Sequence, residues 1–250
     1  MARLLAVAAL VLLAQTPAPL PTPVIVELFT SEGCSSCPPA DDVLTRLVAT
    51  QPVPGVQIIA LGEHVDYWDR LGWRDAFSSA TFSQRQGEYA DRVFRSGNIY
   101  TPQLVVNGRL ELVGSDYRGA VATISKAAQT GGRLRVSMSI ESTAQRSARL
   151  RVSTADGTPL KGSADIWLAV IENDLTTKVV RGENGGRTLR HTAVVRNMRN
   201  VGTIARVASS WSGDVPITFG PDWNRAKVRV VAFAQDHSSR EVLGATVAIP

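Results

Sequence analysis

The chain has few of the residues that build covalent or metal frameworks: 250 residues include two cysteines, three histidines and three methionines. Two cysteines close at most one bridge, which excludes a small disulfide-stapled domain, and 44% hydrophobic content over this length buries a core without staples. Long apolar runs are also scarce. The run from Leu4 to Leu13 covers ten residues, half of the ~20 that a bilayer-spanning helix needs. Lysine is rare as well, so arginine dominates the 27 basic residues set against 22 acidic ones. Those arginines alternate with apolar residues, as in "RLRVSMSI" and "ARLRVS", which is the solvent face of half-buried strands. A nucleic-acid surface would need clustered basic residues interleaved with aromatics, so no nucleic-acid partner is expected. The sequence also has no P-loop, no dinucleotide-binding glycine fingerprint, no nucleophile elbow and no metalloprotease helix motif.

What is present begins with a targeting segment. Arg3, the apolar run Leu4 to Leu13 and a small, proline-rich stretch from Ala14 to Pro23 read as a secretory signal peptide and linker over residues 1–21, with cleavage between Ala14 and Ala18. The expectation is a secreted or periplasmic protein with no stable membrane insertion once the signal is removed.

Beyond the leader the pattern changes once, near Gly131-Gly132. Residues 22–130 alternate strand-like and helix-like segments: strands over 24–29 and 56–61, helices over 38–49 and 79–95, then strands over 103–106 and 110–113 joined by "NGR", an Asn-Gly hairpin signal. A helix over 117–129 ends this part, and the order implies a mixed sheet with helices on both faces. Residues 131–250 hold eight short alternating runs, among them "ADIWLAVIEN", "TAVVRNM", "VGTIARVAS", "VPITFG" and "AKVRVVAFAQD", which predict a β-sandwich. The expected fold class is therefore α/β plus all-β in two successive domains.

Both cysteines lie in "ELFTSEGCSSCPPADDVL", at Cys34 and Cys37. A bridge between them closes only a tiny loop and adds little stability, so a purely structural role is disfavoured. Pro38 and Pro39 fit only the first turn of a helix, where backbone N–H groups have no intrahelical acceptor. Cys34 is thereby set at or just before a helix N-terminus, whose partial positive charge favours a thiolate, with Cys37 one turn deeper as the resolving thiol.

A strand, a C-x-x-C pair at a helix start and a later Thr101-Pro102 before a hairpin resemble the thioredoxin fold. That resemblance implies a cis-Pro102 lying against the dithiol, supported by Thr101. More closely, "IVELFTSEGCSSCPPAD" at residues 25–41, "HVDYWDRLGW", "YTPQLVVNG" and "RGENGGRTLRHTAVVR" together resemble an uncharacterised secreted bacterial family of unknown function, of the DUF1223 type, with a thioredoxin-like part. The chain departs from ordinary thioredoxins in having Gly33 before the first cysteine and Ser35-Ser36 between the two, and Glu32 opposes thiolate formation.

Two further clusters compete for the site. The loop after Leu61 offers His64, Asp66 and Trp68, with His64 a proton donor or thiolate stabiliser. Combining Cys34, Cys37 and His64 as soft ligands gives an alternative copper site. "RGENGGRTLRH" is a hairpin tip with more polar groups than a turn requires, so Arg181, Glu183, Asn184, Arg187 and His191 are candidates for a lid over the dithiol. The expected function is thiol-disulfide exchange through Cys34, with no cofactor and no resident metal. The substrates would be thiols or disulfides of exported proteins or peptides, and an external redox partner would reset the pair. The alternative is a non-catalytic module that binds a peptide or copper.

Overall fold

Val24, Val26 and Leu28 alternate with Ile25, Glu27 and Phe29 in β1 (Thr22–Thr30), and all six are buried, as expected for a strand covered on both faces. The computed structural model describes residues 20–130, 132–141, 147–154 and 157–250. The signal-peptide segment up to residue 19 and the boundary residue Gly131 lie outside the described residues. From β1 the chain enters α1 (Pro38–Thr50), β2 (Val56–His64), a single 3-10 turn at Asp69–Leu71, and α2 (Ala80–Tyr89). Ser79 caps α2 by accepting the Thr81 N–H at 3.2 Å, and the helix runs on as a π-turn through Ala90–Phe94 until Arg95 adopts φ 53°. β3 (Gln103–Val106), β4 (Leu110–Val113) and α3 (Tyr117–Ala128) follow.

The rest is strand: β5 (Leu134–Glu141), β6 (Ser147–Thr154), β7 (Ala164–Glu172), β8 (Leu175–Lys178), β9 (Thr188–His191), β10 (Val194–Ile204), β11 (Ser210–Pro216), β12 (Val228–Asp236) and β13 (Val242–Ala248). Among the described residues, 41% strand and 21% helix combine a mixed α/β part with a β-rich part. Among the described residues no helix is long and apolar enough to cross a membrane.

The strand order joins the two parts. One eight-stranded sheet runs β13-β12-β7-β10-β2-β1-β3-β4, and β2 meets β10 only where Gly62 faces Val194. β7 and β12 are buried on both sides. Ala169, Ile171, Val231 and Phe233 join the core of the helix-bearing part, while Ile166, Leu168, Val230 and Ala232 pack with Leu150 and Val152 beneath a separate sheet ordered β11-β6-β5. Two-sided burial explains why "ADIWLAVIEN" is a nearly continuous apolar run.

Four local expectations are corrected. "TAVVRNM" and "VGTIARVAS" are one strand, β10, because irregularities at Val195/Asn197 and Asn200/Gly202 absorb the break in alternation. The strand expected at "VPITFG" lies earlier, at Ser210–Pro216, where its residues pair with β6. β8 and β9 form a two-stranded sheet of their own, so Thr188 to His191 is strand rather than turn. β2 extends to His64, which places Glu63 and His64 on a strand and not in the following loop.

The Asn-Gly hairpin has a second role. Asn107 and Gly108 have φ 46° and 67°, the primed-turn geometry their identities favour. Asn107 Oδ1 accepts the Ile25 N–H at 2.9 Å, and the Asn107 carbonyl accepts the Val242 N–H at 3.0 Å, which ties β1 to β13. A β-carbon at Gly108 would collide with the Arg240 carbonyl oxygen. Gly108→Ala combines that collision with a left-handed backbone, so it should lower unfolding stability by roughly 2–4 kcal/mol in urea denaturation. A loss below ~1 kcal/mol would show that this turn does not lock the two parts together.

Candidate functional site

The site grows from the loop after β1. Cys34 N–H donates to the Ser31 carbonyl at 3.2 Å and Cys37 N–H to the Cys34 carbonyl at 3.2 Å, while Ala40 and Asp41 N–H groups both donate to Cys37 O. Cys37 is thus the N-cap of α1, with φ −77° and ψ −38°, and Pro38 opens the helix. The expected placement shifts accordingly: Cys37 stands at the helix mouth rather than a turn inside it, and Cys34 precedes the helix by one turn.

The two cysteines form a disulfide with Cα atoms 5.4 Å apart, and both are fully buried. An accessible Cys34 thiolate is therefore not the state seen. Thr101 Oγ1 donates to Cys34 Sγ at 3.4 Å, Ser36 Oγ lies 3.3 Å from the same sulfur, and Trp68 Nε1 donates to Thr101 Oγ1 at 2.8 Å. The Thr101–Pro102 peptide is cis. A β-carbon on Gly33 would stand 3.1 Å from Trp68 Cβ, so the glycine before Cys34 makes room for an aromatic from another loop. Thr101, Pro102 and Trp68 are thereby gathered at the disulfide. Asp66 is not, because its side chain accepts the Ser83 hydroxyl of α2 at 2.5 Å.

The β8–β9 hairpin reaches the same loop. Asn184, fully buried, donates through Nδ2 to the carbonyls of both Glu32 and Cys34 at 2.9 Å, and Arg187 Nη1 donates to Asn184 Oδ1 at 2.8 Å and so sets the amide's orientation. Glu183 Oε2 accepts the Ser35 N–H at 2.9 Å; hydrogen bonds from Ser35 hold its carboxyl below the usual range. Arg181 faces solvent. Of the five hairpin residues, Glu183, Asn184 and His191 meet the disulfide loop directly and Arg187 meets it through Asn184.

His191 lies deeper than a lid residue would. Its ring is buried, with Nε2 3.2 Å from Glu32 Oε1 and Nδ1 3.7 Å from Asp41 Oδ2, and it stands edge-on to His64 at 4.8 Å between ring centres. His64 Nδ1 is 2.6 Å from Asp75 Oδ2, which also accepts the Glu32 N–H at 2.8 Å. Burial raises the Asp75 carboxyl, but the His64 charge and these hydrogen bonds outweigh it and hold the group below its ordinary value. The Cys34–Cys37–His64 copper triad is not assembled: the sulfurs bond each other and His64 faces Asp75. Among the described residues no group of three or more His, Cys, Asp or Glu side chains is arranged to hold a metal ion.

Sequence reasoning missed Asp41, Asp75 and Trp73 as site residues. Trp73 Nε1 donates to Glu32 Oε2 at 2.8 Å. Asp41 carried a legible signal, being an acid four residues after Cys37 on the apolar face of α1. It accepts the Thr30 hydroxyl at 3.1 Å, and burial pushes its pKa up to about 7 against the opposing charge of His191. A second buried network occupies the opposite face of β1 and β2. There Arg85 Nε binds Glu27 at 2.5 Å and Tyr89 donates to Glu27 at 2.6 Å, while burial and the neighbouring Glu27 push Glu63 well above the carboxylate range.

This geometry can be set beside known proteins. Residues 25–235 match the family model DUF1223, described as a protein of unknown function. The chain belongs to this family. No functionally curated protein matches it. A crystallographically determined Agrobacterium tumefaciens protein is 26% identical, with TM-score 0.71 over 93% of this chain and 96% of its own. HBP35 of Porphyromonas gingivalis is 14% identical, with TM-score 0.65 over 92% of this chain and 76% of its own, a likeness of fold alone. The first of these shows that a second protein carries this fold over nearly its whole length, both parts included.

Asp41 makes stability depend on pH with a definite sign. Its carboxyl ionises at about 7 in the fold against 3.8 as the ordinary value, so between those pH values the folded chain holds more protons than the unfolded chain. The contribution is complete below pH ~4 and is lost as pH rises to ~7, on the order of 4 kcal/mol for a shift of this size. Asp41→Asn should therefore flatten the decline of unfolding free energy over that window in denaturant titrations. An unchanged slope would mean Asp41 is already ionised in the fold.

Proposed function

We propose that this DUF1223 member is an exported, thioredoxin-like thiol-disulfide exchange protein whose second half is a β-sandwich carrying a lid over the Cys34–Cys37 pair. The observation that carries the reading is the disulfide at the start of α1 beside the cis Thr101–Pro102 peptide, with the Thr101 hydroxyl on Cys34 Sγ at 3.4 Å. The order β1-α1-β2-α2-β3-β4-α3 around it supports the same assignment, and the leader sequence supports export.

The exchange follows from which sulfur can be attacked. A thiolate from an exported protein or peptide attacks Cys34 Sγ, the S–S bond breaks, and Cys37 leaves as a thiolate that takes up one proton. A second substrate thiolate then attacks the substrate sulfur of the mixed disulfide and releases Cys34 as a thiolate. The substrate leaves oxidised and the protein leaves as a dithiol, which an external disulfide must reoxidise, since the chain has only two cysteines. The Cys37 leaving group benefits from its place at the helix N-terminus, where partial positive charge stabilises anionic sulfur.

Burial of both cysteines favours a second reading, a non-catalytic peptide-binding module with an inert pair. The lid separates the two. Asn184→Ala removes two hydrogen bonds to the disulfide loop, which should ease opening by a kilocalorie or so and accelerate reduction and alkylation of the pair about tenfold. Mass-spectrometric counting of alkylated thiols after dithiothreitol treatment reads this directly. If the wild-type pair resists reduction in the folded protein and Asn184→Ala changes nothing, exchange is ruled out and the inert module stands.

A further inference from the structure

At the other end of β2 the sheet is missing a rung. The Gly62 N–H donates to the Ala193 carbonyl at 2.7 Å, away from β1. Polar groups alternate sides along a strand, so Ile58 and Ala60 point their N–H and C=O the same way, toward the place where a neighbour would continue. The neighbour turns aside. Ala193 adopts φ 55°, and its N–H donates to Asn173 Oδ1 at 3.0 Å rather than across the gap to Ala60.

At Ile58 a side chain fills the vacant place. Gln51 Oε1 accepts the Ile58 N–H at 2.7 Å and Gln51 Nε2 donates to the Ile58 carbonyl at 3.2 Å, so one amide group satisfies both backbone groups. Between these two filled positions the Ala60 N–H and C=O have no hydrogen-bonding partner among the described residues. They open on a cavity of about 800 Å³, whose walls include Val48 of α1, Ile171 of β7 and Val247 of β13, with Ala49 at an exposed position of α1.

We propose that this cavity binds a short, extended apolar peptide that adds to the edge of β2 at Ala60. Buried backbone N–H and C=O groups require partners, and an amide supplies a donor and an acceptor together at strand spacing. Gln51 makes that same pair of bonds two residues away. The stretch between the filled positions at Ile58 and Gly62 is roughly 13 Å, enough for about three extended residues; the wall formed by Val48, Ile171 and Val247 suits Val- or Leu-like side chains, while Asp174 and Arg229 make part of the lining polar. A fatty-acyl chain would fill the volume but leave both Ala60 groups unpaired. Ala60 pairs with Val26, whereas the disulfide loop leaves β1 beyond Thr30, so this site is independent of the exchange reading.

Calorimetric titration with N-acetyl-Val-Leu-Val-amide, the same peptide with every backbone amide N-methylated, and decanoate tests the proposal. The unmethylated peptide should bind saturably, at least tenfold more tightly than either of the others, and should slow hydrogen exchange of the Ala60 amide. Ala49→Phe, which projects a ring into the cavity from an exposed helix position, should weaken the peptide at least tenfold while the thermal melt is retained. Absence of saturable peptide binding, equal binding of the methylated peptide or decanoate, or unchanged Ala60 exchange would overturn the proposal. If Ala49→Phe fails to fold, Ala60 exchange in the unaltered protein decides the matter.

Discussion

The carbonyl oxygens of Glu32 and Cys34 flank the turn that carries the disulfide, and both accept from one side-chain amide, that of Asn184. Within the turn the Cys34 carbonyl also accepts the Cys37 N–H at 3.2 Å, whereas the Glu32 carbonyl depends on Asn184, and an unpaired buried carbonyl is expensive. The β-rich part therefore completes the first part's loop rather than merely lying beside it. With Asn184 in place, Cys34 and Cys37 are sealed from solvent, Arg187 is drawn in to orient the amide, and the strand that follows carries His191 between Glu32 and Asp41.

That insertion determines the electrostatics. Each face of β1 and β2 holds buried ionisable groups of opposite kinds: Asp41, Glu32, Asp75, His64 and His191 on the α1 side and toward the disulfide, and Glu27, Glu63, Arg85 and Tyr89 on the α2 side. Neither set could be dissolved in an apolar core without its partners, because isolated buried charges are far costlier than paired ones. On the α2 side one guanidinium serves two carboxylates, and burial together with the neighbouring Glu27 charge outweighs it and holds Glu63 well above the carboxylate range. On the α1 side the histidines supply the compensating groups, and one of them comes from 150 residues downstream of the acid it meets.

The joint between the two parts is narrow for the same reason that it is useful. β2 and β10 share a single residue pair, and the left-handed turn at Ala193 then carries β10 away. The sheet stays one object where the disulfide loop and hairpin meet, but opens below into a cavity walled by both parts.

Periodicity and turn chemistry made much of the local structure legible. Pro38-Pro39 marked the start of α1, Asn107-Gly108 marked the β3–β4 turn, and alternation located most strands, because each signal acts within a few residues of itself. The pairing of Cys34 with Cys37, the place of Thr101-Pro102 and the polar excess of "RGENGGRTLRH" were likewise visible, and the structure brings these segments together. Long-range placement was not legible. Nothing in the sequence of β10 says that Val194 meets Gly62, that Asp75 faces His64, or that Asn184 covers Cys34, since such contacts depend on how the two parts join within one sheet. Composition and spacing alone determined a dithiol at a helix mouth and a β-rich second half. Tertiary structure decided that the dithiol is closed and buried, because the groups that bury it complete hydrogen bonds that the local chain cannot make for itself.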